Sequence, residues 1–559
     1  MRNTPLVLLS AVLVLGGCSK LIGLDEFHPA IASAGAGGVG GSAAGNGGAG
    51  GDGGTGAALT GGAGGTAGVG GGTGECSPGK REACYDGPAG TENVGICKGG
   101  QRFCDQDGNW STCEGEQVPT VEDCSDALKD ENCDRYECGI WGVVYGQSAG
   151  EPAAAAARPD RGMVIAGTFS GGLQIEGESR PATDEFDVYI ASLDASGKLD
   201  WLYTFGNQST ELMGSVAVSE QGDVFSVVTT LAVADFGDGE HPPGSSLIRL
   251  SPSGQFVSST FLGEAFVPGL RVRGTHVYLV GFFNGSLDWG TGPKSADGAD
   301  IVVAKLGLDG APGTDGWVNT YGSPGNEEAS GIDIDAAGYV YVTGAIAGEV
   351  DFGNGAVFQS GPPDGFLLKL DAAGKYVQST TIKGIGGNEN AKTVAVDATG
   401  AALVTGLYTT DLDVKGTTLP AAGPKSTFLI KYDSEGSYLV PVWGQGFPNA
   451  GTVLGGTTTV DSRGAAALVV NVYANTVVGG ETIAGNASGL PTAVRFDQNG
   501  NHLWHKSIGG SLGGSAFASA GNGFGEVFVL GTTDSPTLDI GTGTIAAGQG
   551  KSFVVKLGR

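Results

Sequence analysis

One apolar stretch bounded by turns recurs seven times: GMVIAGTF, DVFSVVTT, HVYLVGFF, YVYVTGAI, AALVTGLY, AAALVVNV and EVFVLGTT. The spacing is roughly 60 residues, and three further pieces recur with it. One is a short strand into a glycine turn, as in LQIEG, VADFG, LDWG, VDFG, LDVKG, TVVGG and LDIG. Another is the series VYIASLDASG, SLIRLSPSG, IVVAKLGLDG, FLLKLDAAG, FLIKYDSEG, TAVRFDQNG and KSFVVKLGR. The last often opens on tryptophan: WGVVYG, WLYTFG, SSTFLG, WVNTYG, TTIKGIGG, WGQGF and WHKSIGG. Alternation, β-branched and aromatic enrichment, and Asp/Gly turns read all four pieces as strands. In turns such as DASG and DAAG, Asp holds the turn by its side chain and Gly supplies positive φ. Four strands per repeat is the pattern of a propeller blade, so the expected fold is all-β, a seven-bladed β-propeller. The strand at Trp141–Gly146 lacks a predecessor and KSFVVKLGR lacks a successor. Their pairing would close the ring, and the chain would stop at Arg559 because its next strand already exists. A linear array would instead expose a strand edge at each end.

The N-terminus gives an address. Arg2, an apolar run from Leu6 to Leu15, small residues and Cys18 form a signal peptide, too short to span a bilayer. Leu15-Gly16-Gly17-Cys18 resembles a bacterial lipobox. The resemblance implies acylation of Cys18 with cleavage before it, and Ser19 in place of Asp implies the outer membrane. The formal net charge of -29 excludes nucleic acid as a partner, because the chain has no excess cations to displace phosphate counterions. Residues 34–74 are almost wholly Gly, Ala, Ser and Thr, without apolar periodicity, and read as a disordered tether reaching roughly 35 Å. The expected organisation is a signal peptide (1–17), a lipidated N-terminus (18–33), the tether (34–74), a Cys-rich segment (75–139) and the propeller (140–559).

The Cys-rich segment holds Cys76, Cys84, Cys97, Cys104, Cys113, Cys124, Cys133 and Cys138. An even number in an exported chain predicts four disulfides, with connectivity left open. Zinc would want paired C-x-x-C spacing and nearby His. CKGGQRFCDQDGNWSTC resembles a Cys/Gly/Trp pattern of bacterial surface proteins. VEDCSDALKDENCDRYEC resembles a metal-binding motif of those proteins, with a longer inter-Cys stretch and Arg135 where the motif has Gly. Asp126, Asp130 and Asp134 could offer calcium ligands there, or form solvated acidic turns. In the repeats, DAAGYVYVTGAIAGEVDFG and DGFLLKLDAAGK resemble the bacterial SBBP-type β-propeller repeat. That resemblance covers about Trp141 to Arg559. It implies an exported propeller and carries no single activity.

Chemistry is sparse. Asp333 and Asp335 sit in DIDAAG, a fragment of a calcium loop without its later ligands, and the turn reading accounts for Asp335 and Gly338. Asp235, Asp288, Asp351, Asp413 and Asp539 recur in register and are expected to cap turns. Trp141, Trp201, Trp317, Trp443 and Trp504 recur likewise and are expected to pack between blades. His502 and His505 in HLWH are expected on opposite faces of one strand, which would not make a metal pair. The chain is therefore expected to be a non-enzyme with no required cofactor, structural calcium being the one candidate. The expected role is a lipoprotein of the outer membrane that displays the propeller to a protein, glycan or matrix partner at the envelope. The alternatives are a propeller enzyme acting on polysaccharide and a purely structural envelope protein.

Overall fold

The computed structural model describes residues 76–88, 91–120, 133, 140–149, 151–183, 186–207, 209–355, 357–358, 362–422, 426–435, 438–452, 458–540, 543–548 and 550–558. The signal peptide, Cys18, the tether, Cys124, Cys138, Asp126, Asp130 and Asp134 lie outside them. The described chain is all-β; no helix in it is long and apolar enough to cross a membrane.

Antiparallel sheets of four strands follow one another along the chain in a propeller-like series. Sheet I comprises Pro152–Ala157, Met163–Ile175, Asp187–Leu193 and Leu199–Phe205. Sheet II comprises Glu211–Val218, Val224–Thr230, Gly244–Leu250 and Phe256–Gly263. Sheet III comprises Phe266–Arg273, His276–Leu287, Lys294–Gly307 and Trp317–Tyr321. Sheet IV comprises Glu328–Ile334, Val340–Ile346, Asp364–Leu370 and Tyr376–Ile382. Sheet V comprises Glu389–Val396, Ala402–Tyr408, Ser426–Glu435 and Tyr438–Pro448. Sheet VI starts with two pieces, Ala450–Thr452 and Thr458–Val460, and continues with Ala466–Val472, Pro491–Phe496 and His502–Ser507. Sheet VII takes Gly514–Gly521, Val527–Thr533 and Lys551–Leu557 from the end of the chain and Trp141–Ala149 from far upstream. In that last pairing Val143 lies opposite Val554 and Tyr145 opposite Ser552.

The second and third strands are buried on both faces, which explains their near-continuous apolar sequences. Each hydrophobic cluster fills one junction between consecutive sheets. Phe225 and Val227 of sheet II pack on Val277 and Leu279 of sheet III, for example. The last sheet packs on the first in the same way: Phe528, Leu530 and Val554 meet Ile165, Tyr189 and Ala191. Tyr145 and Tyr189 share a buried hydroxyl hydrogen bond of 2.8 Å across that junction.

The second recurring piece adds no separate strand to these sheets; in sheets I and III it begins at the end of the second strand. It forms a side hairpin between the second and third strands, as in Val350–Asp351 with Val357–Phe358, or Leu412–Val414 with Thr417–Leu419. Its apolar residues plug the junction, Val350 and Phe352 in one case and Val478 and Ile483 in another. The fourth strand of the count is instead the first strand of each sheet, in sequences such as ELMGSVAV and GSAFASAG.

Tryptophans bind consecutive sheets together. The indole N–H of Trp141, Trp201, Trp317 and Trp443 donates to Ala195, Pro252, Ala372 and Gln498 carbonyls in the next sheet's turn, at 2.8, 2.9, 3.2 and 3.1 Å. Each ring lies against the last glycine of that turn, Gly197, Gly254, Gly374 or Gly500. The recurring Asp of the side hairpin caps its turn. Asp351 accepts from Gly353 and Gly355 N–H at 2.8 and 3.2 Å, and Asp235, Asp288 and Asp413 act alike.

Candidate functional site

The Cys-rich segment is cross-linked Cys76–Cys104, Cys84–Cys113 and Cys97–Cys133. A short hairpin, Arg81–Cys84 against Gly100–Phe103, runs through it. Arg102 pairs with Glu82 across these two strands and lies over the Trp110 ring, 4.7 Å from its centre.

The DIDAAG carboxylates point to different partners. Asp335 Oδ1 accepts from the Ala337 and Tyr339 N–H groups, both at 2.9 Å, so it holds the turn. Asp333 Oδ2 accepts from Val396 N–H of sheet V at 2.7 Å, and its other oxygen lies 3.5 Å from Arg271 of sheet III. Asp333 thus ties three first strands together. Burial pushes its carboxyl above the ordinary value, and Arg271 only partly opposes that.

Carboxyl pairs recur at the starts of strands. Glu211, Glu327 and Glu389 begin or immediately precede the first strands of sheets II, IV and V and are almost fully buried. Their backbone N–H groups donate to Phe186, Ala299 and Pro363 carbonyls of the preceding sheets at 2.9, 2.8 and 2.9 Å. In each case a buried Asp stands in that preceding sheet's third strand: Asp187 and Asp364 at its start, Asp300 within it. Burial raises the Glu327 carboxyl despite hydrogen bonds from Ser323, and the nearby Asp300 raises it further. Glu389 is raised by burial and by Asp364 in the same way. The three Glu residues thus occupy recurring positions, and their backbone N–H groups tie each first strand to the preceding sheet.

One cluster breaks the repeat. The side hairpin of sheet VI, Thr476–Val478 with Glu481–Ile483, turns through Gly479 and Gly480, both with positive φ (60° and 86°), a two-residue turn that only such residues enter easily. The turn presses on the fourth strand: a Cβ at Gly479 would lie 2.4 Å from His502 Cβ. Glu481 therefore stands over His502 and His505. Contrary to simple alternation, the two histidines share a face. The pairing register shifts between Arg495, opposite Trp504, and Phe496, opposite His502, so Leu503 is an extra, bulged residue that flips the parity. His502 Nε2 and His505 Nδ1 are 3.4 Å apart, and Glu481 Oε2 is 3.5 Å from His505 Nδ1. Sequence reasoning missed this group because a bulge is invisible to period-two alternation. The same shift occurs in the fourth strands of sheets I, II, IV and V, and in sheets I and V, as here, it falls just before the Trp.

No family model and no curated protein matches the chain. Among solved structures it is similar to the Neurospora crassa Pan2 WD40 domain, at 9% identity over 74% of this chain and 95% of that one, with a TM-score of 0.36. It is also similar to the C-terminal WD40 domain of Sif2, at 10% identity over 75% and 99%, with a TM-score of 0.35. A puromycin hydrolase matches at 11% identity over 74% of this chain and 52% of that one, with a TM-score of 0.41. No activity carries over at such distance.

Proposed function

We propose that the chain is a lipoprotein of the outer membrane, anchored through Cys18, that displays a closed seven-bladed β-propeller of the SBBP type. Its role is to bind or scaffold a protein, glycan or matrix partner at the cell envelope. The observation that carries this reading is the repeat register of the buried charges. Asp187, Asp300 and Asp364, with Glu211, Glu327 and Glu389, are buried in recurring places, and the backbone N–H of each of the three Glu residues bonds to a carbonyl of the preceding sheet. Charges so placed serve the framework. An enzyme acting on polysaccharide would call for an acid and a base of different environments facing a common substrate. The lipobox-like sequence at Leu15–Cys18 and the disulfides of the Cys-rich segment support an exported location.

Detergent phase partitioning tests the anchor. The wild-type chain is expected in the detergent phase and Cys18→Ser in the aqueous phase. Retention of the variant in detergent would contradict the anchor. Immobilised full-length protein should also capture a specific envelope component without altering it, whereas cleavage of envelope polysaccharide by the purified protein would contradict the scaffold reading.

A further inference from the structure

We propose that Glu481, His502 and His505 form a binding site for a divalent transition-metal ion of the zinc class. The three ligand atoms lie within 4.8 Å of one another. A tetrahedral ion with bonds of about 2.0–2.1 Å holds its ligands roughly 3.3–3.4 Å apart. The His502 Nε2 to His505 Nδ1 separation of 3.4 Å and the His505 Nδ1 to Glu481 Oε2 separation of 3.5 Å are already close to that. The third edge is longer: Glu481 Oε2 comes no nearer to His502 than 4.0 Å, at Nδ1, so closing on an ion calls for an inward rotation of the exposed Glu481 side chain.

Three features of the local build support the assignment. The His502 side chain is only 5% exposed, so its ring is held in place. The glycine turn packs directly against it and fixes the strand that carries Glu481. The bulge at Leu503 brings the second imidazole onto the same face. An alternating strand would have separated the two rings, and none of the aligned positions Leu199, Phe256 and Tyr376 of other sheets carries a ligand.

The donor set decides the metal class. Two imidazole nitrogens and one carboxylate suit zinc, copper or nickel, whereas calcium and magnesium require oxygen ligands. Three protein ligands leave a further position to water or to a donor from a binding partner. Glu481 is 64% exposed, which puts that position within reach of solvent.

The test uses the full-length chain, stripped with chelator and titrated with Zn2+ in the presence of excess Ca2+. One saturable equivalent of Zn2+ per chain is expected, together with a rise in melting temperature. Glu481→Gln and His505→Gln should each weaken binding at least about tenfold, as loss of one ligand from a small site does, and should abolish the thermal shift. Glu481 is exposed, so its variant should keep the metal-free melting temperature and serves even where a histidine variant folds poorly. Absence of saturable Zn2+ binding would overturn the proposal. So would binding that Glu481→Gln leaves unchanged, since that would place the ion on the acidic surface elsewhere.

Discussion

At the scale of single residues, two kinds of contact link the sheets: tryptophan on glycine, and buried carboxyl groups. Gly374 has φ +77°, and a Cβ there would lie 2.5 Å from the Trp317 ring. Gly416 has φ +79° with nothing within 4 Å. Both alanine variants pay for a left-handed backbone, roughly 1–2 kcal/mol, but only Gly374→Ala also displaces the indole. It should therefore be the more destabilising in thermal or urea unfolding, by on the order of 1–3 kcal/mol. Equal losses would contradict the packing. The carboxyls give a pH signature. Burial and then Asp300 raise Glu327 above its ordinary 4.5. A group raised on folding contributes its full stability below its unfolded value and loses it as pH climbs through the folded value. Glu327→Gln should thus gain in melting temperature relative to wild type as pH rises from about 4 towards 8. A difference that does not change with pH would show that the carboxyl is not perturbed.

At the scale of elements, the third strands and the Trp-led fourth strands were legible because their pattern is dictated by burial on both faces and by the next sheet's turn. The first strands were not. There neighbouring backbones approach closely: a Cβ on Gly331 would lie 2.8 Å from Thr393 Cα of the next sheet. Small residues are required, and they dilute the apolar signal until the strand no longer stands out. The side hairpins were misread for the opposite reason, since they carry strong apolar residues that serve the junction and not a four-stranded sheet. The Glu481 group was hidden by the bulge at Leu503 and by a partner on a separate hairpin. The final strand offers a direct prediction. Lys551–Leu557 sits between Val527–Thr533 and Trp141–Ala149. It also carries Lys556, fully buried and ion-paired with Glu526 at 2.8 Å. Removing it exposes two strand edges and strands a buried carboxylate, which alone costs about 3–5 kcal/mol. Deletion of 551–559 should lower the melting temperature of the whole molecule and promote aggregation, while deleting nine residues from within 34–74 should leave the melting temperature unchanged. A truncated chain that melts like the full one would contradict this.

At the scale of the whole molecule, the proposed closed ring depends on the two ends of the repeat region meeting. Each sheet has an apolar face to bury on either side, and the proposed ring would leave none over. The cluster joining Phe528, Leu530 and Val554 to Ile165 and Tyr189 supplies the junction between last and first sheets. Lys556 adds a hydrogen bond of 3.3 Å to the Ala195 carbonyl of sheet I. If the proposed ring is closed in this way, the molecule should unfold as one unit, because opening the seam would expose strand edges on both sides at once. Cysteine cross-linking across the seam tests this most directly. With Cys introduced at Val143 and, in separate variants, at Val554, Lys551 and Leu557, oxidation should link Val143→Cys to Val554→Cys efficiently and to the two displaced positions poorly. Such a link should also raise the melting temperature. Failure of the Val143–Val554 pair to cross-link in the folded protein, or equal cross-linking at all three positions, would contradict the closed ring.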